Sequence, residues 1–77
     1  MKEFDVTMTF DTGENDLSLD AIDDLLFEGG FDDALISHSG TRLIQIELRR
    51  SASSEDFLIK AVMRQVSEIF PNSKQLN

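Results

Sequence analysis

Carboxylates are the side chains of this 77-residue chain whose number and spacing could do chemistry, and eleven of the fifteen lie in the first 40 residues. Asp11, Glu14, Asp16, Asp20, Asp23, Asp24, Glu28, Asp32 and Asp33 crowd one stretch. Acids so placed could transfer protons, hold a divalent cation or meet a cationic surface. Proton transfer fails on geometry: adjacent helical residues such as Asp23 and Asp24 point in different directions, and no cleft-forming segment surrounds them or Asp32 and Asp33. Asp11-Thr-Gly-Glu-Asn-Asp16 faintly matches a calcium loop, but that loop needs a ligand at position 3 and glycine at position 6, and Gly13 stands at position 3. No metal or other cofactor is expected.

The other chemistry-bearing residues are few. His38 is the single histidine, flanked by Ser37 and Ser39, with no cysteine nucleophile and no Gly-x-Ser-x-Gly turn to expose a strained serine. It is expected to be a solvent-exposed turn residue. Gly29-Gly30 precedes a strand rather than opening a helix, so it cannot cradle phosphate. Arg49-Arg50 and the pair Lys60 and Arg64 are the basic clusters, too sparse beside so many acids to hold a polyanion, and no aromatic is interleaved with them. Ion pairs with neighbouring acids are their expected role. These residues predict no enzyme.

Charge is left as the informative feature. Lys2 against eleven carboxylates gives residues 1–40 a net of −10, while residues 41–77 carry six bases against four acids, and the whole chain stands at −8. Such a field draws basic protein surfaces and repels nucleic acid and anionic membrane. Asp20, Asp24 and Glu28 recur every fourth residue, a row about 6 Å apart on a helix, flanked by Asp16 and Asp23. A DNA strand carries a phosphate about every 3.4 Å, so the row needs Asp11, Glu14, Asp32 and Asp33 to complete an anionic face.

The elements that must position these acids follow from periodicity. Phe4, Val6, Met8 and Phe10 alternate with polar residues, predicting a strand from about Glu3 to Phe10. Ser18 can cap a following helix, with Leu17 and Ile22 spaced as a hydrophobic staple and Asp20 in the first turn. Leu19, Ile22, Leu25 and Leu26 share its inner face, and Gly29-Gly30 ends it. A hairpin then runs from about Asp33 to Ser37 and Thr41 to Arg49. Parity favours a three-residue loop with left-handed Gly40, setting Ala34 and Ile36 on the face of Ile44, Ile46 and Leu48; a two-residue loop would bury Asp33. Ser53 is expected to cap a second helix, with Asp56 completing a capping box and Leu58, Ala61, Val62, Val66, Ile69 and Phe70 as its buried stripe, up to Pro71.

The expected fold is therefore α+β, in the order β-α-β-β-α, with a three-stranded antiparallel sheet of spatial order 1-3-2 and two helices packed on one face. Residues 1–70 would form one domain and 71–77 a flexible tail. The sheet's open face would carry Asp5, Thr7, Thr9, Gln45, Glu47 and Arg49, with Leu35 and Leu43 as its large apolar groups. Lack of cysteine, of an apolar run near the roughly 20 residues of a membrane span and of a basic leader predicts a soluble cytoplasmic protein.

Leu25-Leu-Phe-Glu-Gly-Gly-Phe-Asp-Asp-Ala34, followed by a hairpin and a Ser-Ser-Glu-Asp helix start, resembles a group of small bacterial proteins of unassigned function. In that group a β-α-β-β-α unit with a Leu-Phe-Glu-x-Gly-x-Asp-Asp-Ala motif often leads into a helix-turn-helix. The resemblance spans residues 3 to 70 and implies a fold but no catalytic residue; without the helix-turn-helix, it implies the protein-contacting half alone. In size, acidity and lack of cysteine the chain also looks like phage anti-CRISPR proteins, a likeness of class that implies stoichiometric inhibition. The expected function is thus a non-enzymatic, monomeric inhibitor. Its nine acids named at the outset would bind a basic nucleic-acid-handling protein such as a CRISPR effector subunit, with no direct contact to nucleic acid or membrane. The alternative is a small regulatory, antitoxin-like module that oligomerises through an exposed strand edge.

Overall fold

The computed structural model describes residues 1–40 and 42–76. Their chain order is β1 (Lys2–Asp11), α1 (Leu19–Leu26), a wide π-type turn over Phe27–Phe31, β2 (Leu35–His38), β3 (Leu43–Ala52), α2 (Glu55–Ile69) and β4 (Lys74–Gln75). The strands form one antiparallel sheet in the order β2-β3-β1-β4. The first three lie as expected; the fourth is a correction. The segment read as a flexible tail supplies β4, which pairs Gln75 with Phe10 and Lys74 with Asp11. Pattern could not announce a two-residue strand, because its pairing depends on a neighbour far away in sequence.

Both helices and the inner sheet face close over one core. Val6, Met8 and Phe10 from β1, and Ile44, Ile46 and Leu48 from β3, meet Ile22 and Leu26 of α1 and Leu58, Val62 and Val66 of α2. Ser18 caps α1 as expected, its Oγ accepting from the Ala21 N–H at 3.1 Å, and α2 ends at Phe70 before Pro71. The cap of α2 is Ser54 rather than Ser53: its Oγ accepts from the Phe57 N–H at 3.1 Å, so Asp56 is not placed for a capping box. The shift follows from β3 continuing to Ala52. The even positions Leu48, Arg50 and Ala52 prolong the inward parity, with Ala52 buried.

The hairpin keeps the expected parity but not the pairing. Ile36 lies opposite Ile46 and His38 opposite Ile44, and the Ser39 N–H donates to the Leu43 carbonyl at 3.1 Å, so the loop begins at Gly40. Gly40 is not left-handed; the glycines at positive φ are Gly13 and Gly30. Moving the register by two residues preserves which face each side chain takes, so hydrophobic pattern could not separate the choices.

Gly13 joins the β1–α1 loop to the C-terminal segment. At φ +75, a Cβ there would lie 2.4 Å from the Asn72 carbonyl oxygen, a backbone atom that can move only with its segment. Gly13→Ala is expected to cost about 2 kcal/mol, from left-handed strain and the clash together. Hydrogen exchange checks the mechanism: the Leu76 N–H, which donates to the Thr9 carbonyl at 2.8 Å, should lose its protection first.

Candidate functional site

The nine acids proposed as a contact surface divide into two groups. Asp11, Asp23 and Asp33 are held by the chain's own bases. Arg42 grips Asp11 with two bonds of 3.0 and 2.8 Å and reaches Asn15 Oδ1 at 2.8 Å. Asp11 Oδ1 also accepts from the Gly13 N–H, so this carboxylate folds the loop after β1. Asp33 is gripped by Arg50 at 2.8 Å on each oxygen, and Arg50 further donates to Gln65 Oε1 and the Gly30 carbonyl. Its guanidinium carbon stands 5.2 Å from the Phe31 ring centroid. Outside the cluster, Asp5 and Arg49 pair across the open sheet face at 2.7 Å, and Lys60 meets Asp56 one helical turn away.

These pairs correct two readings. Arg49 and Arg50 form no basic cluster, since alternation sends Arg49 outward to Asp5 and Arg50 inward to Phe31 and Asp33. His38 is not an open turn residue either. It closes β2 with its side chain 15% exposed, and Nε2 lies 2.7 Å from Asp23 Oδ1, which ties α1 to the sheet. Nδ1 is buried without a partner among the described residues. A serine nucleophile would have to meet that atom, yet Ser37, next in the strand, takes the opposite face. The lever missed in the sequence was parity: His38 and Arg50 both fall on inward-facing positions.

The second group consists of Glu14, half-buried, and the exposed Asp16, Asp20, Asp24, Glu28 and Asp32. None of them makes an ion pair to a described residue. With 100° per residue, Asp20 and Asp24 fall about 140° and 180° from the buried line of Ile22 and Leu26, the outermost strip of α1. Glu28 follows in the π-type turn, and Asp16 and Asp32 stand before and after the helical segment. Phe27 lies three residues past Asp24 and four past Asp23, and it is 65% exposed. Leu19 and Leu25, expected on the buried face, are 43% and 38% exposed. An eight-residue helix with two fully buried positions leaves its flanks open.

The arrangement can present negative charge around an aromatic side chain. Among the described residues no three His, Cys, Asp or Glu side chains are grouped as a metal ion would require, and no helix is long and apolar enough to cross a membrane. Comparison with known protein families, curated proteins and solved structures gives no match to the chain.

The gripped acids predict a pH response. Asp5, Asp11 and Asp33 are all held below the ordinary aspartate range, in each case first by hydrogen bonds from the paired arginine. A carboxylate with a lowered folded pKa contributes stability above its unfolded value, near 4, and loses it as pH falls through the folded value. Stability should therefore drop below about pH 4. In denaturant melts, the gap between the parent chain and Asp33→Asn should shrink over the same range, because acid removes from the parent what the substitution has already removed.

Proposed function

We propose that this chain is a non-enzymatic acidic inhibitor, of the anti-CRISPR kind, that binds a basic nucleic-acid-handling protein and blocks its DNA- or RNA-binding surface. The observation that carries this reading is the strip of Asp20, Asp24 and Glu28, continued by Asp16 and Asp32, that has no counter-charge among the described residues while Asp11, Asp23 and Asp33 are engaged. A contact surface of this chain is accordingly narrower than nine acids. With steps of about 6 Å it is sparser than a phosphate backbone, so it acts as a field with an aromatic anchor rather than as a phosphate-by-phosphate copy. Phe27 supplies apolar area that charge alone lacks.

Competition against nucleic acid tests the proposal. Added to purified CRISPR effector complexes, the chain should displace a labelled guide or target strand at low salt and do so less as salt rises, because exposed charges are screened. Failure to displace nucleic acid from any effector at low salt would retire it. The antitoxin-like alternative draws on the uncovered side of β1, and a monomer in light scattering at high concentration counts against it.

A further inference from the structure

Among the described residues, β1 is paired along its full length on one side only. β3 pairs with Lys2 through Asp11 there, whereas β4 reaches only Phe10 and Asp11 on the other. The bond from the Leu76 N–H to the Thr9 carbonyl shows which residues face that second side. Backbone groups alternate along a strand, so Glu3, Asp5 and Thr7 turn their N–H and C=O the same way as Thr9. No strand among the described residues pairs with them. Alongside lies a groove of about 240 Å³ between residues 5–8 of β1 and the start of α2, lined by Ile59 and Glu55.

We propose that this edge is a strand-addition site for an extended basic segment of another protein, with apolar side chains at alternate positions. β4 sets the precedent, adding antiparallel to the same side of β1. In an added strand one set of side chains would cover the half-buried Ile59 next to Glu55, and the other would stand beside exposed Glu3 and beside Asp5, whose carboxylate already pairs with Arg49. Lysine or arginine suits the second set. A second copy of the chain suits it poorly, since edge-to-edge contact would bring these same acids together between molecules of net charge −8. Strand edges are commonly guarded by proline, bulges or charge. β1 has no proline, and its pairing with β3 runs without a skipped residue, which leaves charge as its guard, with Glu3 and Glu55 beside the open stretch outweighing Lys2 at its end. Those acids repel another acidic strand and admit a basic one. The edge and the α1 strip lie on different elements, so either reading can fail alone.

The test is an NMR titration of the intact chain with a synthetic heptapeptide of alternating lysine and valine. The comparators are the same peptide with N-methyl groups on either alternate set of backbone nitrogens, and an order-scrambled peptide. Shifts should concentrate at the amides of Glu3, Asp5 and Thr7, and N-methylation of the bonding set should weaken binding at least tenfold. Thr7→Pro should weaken it similarly while sparing the β1–β3 ladder, because the Thr7 N–H points away from β3. Equal affinity for both N-methylated peptides, or shifts confined to Asp20 and Asp24, would overturn the proposal. So would a dimer in light scattering whose Glu3, Asp5 and Thr7 amides are already protected from exchange without peptide.

Discussion

Reversing Asp20, Asp24 and Glu28 to lysine together is expected to weaken binding to a basic effector at least a hundredfold, about 3 kcal/mol or more, while moving the melting temperature by only a few degrees. The folding cost is small because all three side chains are exposed and none pairs with a described residue. Asp20→Lys loses a favourable charge in the first turn of α1, worth a few tenths of a kcal/mol, and lysine at position 28 is favourable near the other end. A control separates local display from net charge: Glu47, Asp56 and Glu68 reversed to lysine change the total equally but lie elsewhere in the fold. If both triple variants weaken binding alike, total charge rather than the α1 strip is responsible. Phe27→Ala should add a further loss, of roughly tenfold, with little effect on folding.

Arg50→Ala is expected to produce the largest loss of stability of any single charged residue, about 3 kcal/mol, or roughly 15 °C in melting temperature for a domain of this size. Arg50 donates to Asp33, Gln65 and the Gly30 carbonyl and lies over Phe31, joining β3, α2 and the turn after α1. The figure sits at the low end for a broken buried pair because Asp33, 43% exposed, can be rehydrated once its partner is gone. Against a total stability of about 4–12 kcal/mol for 77 residues, the loss is severe. Arg50→Lys should recover little, since an ammonium cannot serve both Asp33 oxygens, an amide and a carbonyl while stacking on a ring. Arg49→Ala, one residue earlier but on the open face, should leave the melting temperature nearly unchanged. Parallel thermal melts check the contrast.

That contrast also explains the segment Leu25–Ala34. Leu26 and Phe31 enter the core, Gly30 takes φ +106 as the helical path breaks, and Asp33 receives Arg50. A left-handed position of this kind excludes most side chains, so Gly30→Ala should destabilise whatever binds the surface nearby.

Much of the fold was legible because hydrophobic burial repeats with the geometry of each element. Alternation along Phe4–Phe10 and Ile44–Leu48, the cap at Ser18 and the stripe from Leu58 to Phe70 each follow from local covalent geometry, and the order of β1, β2 and β3 follows from crossover handedness. The concentration of acid in the first 40 residues is likewise a property of the sequence alone. Which acids stay available is not. Arg42 reaches Asp11 across 31 positions, Arg50 reaches Asp33 across 17 and His38 reaches Asp23 across 15, and β4 finds β1 only after the chain has closed on itself. Pairing between charges depends on distances that folding creates, whereas period and composition are fixed before it begins, so tertiary structure alone decided that Asp11, Asp23 and Asp33 of the nine candidate carboxylates meet internal partners.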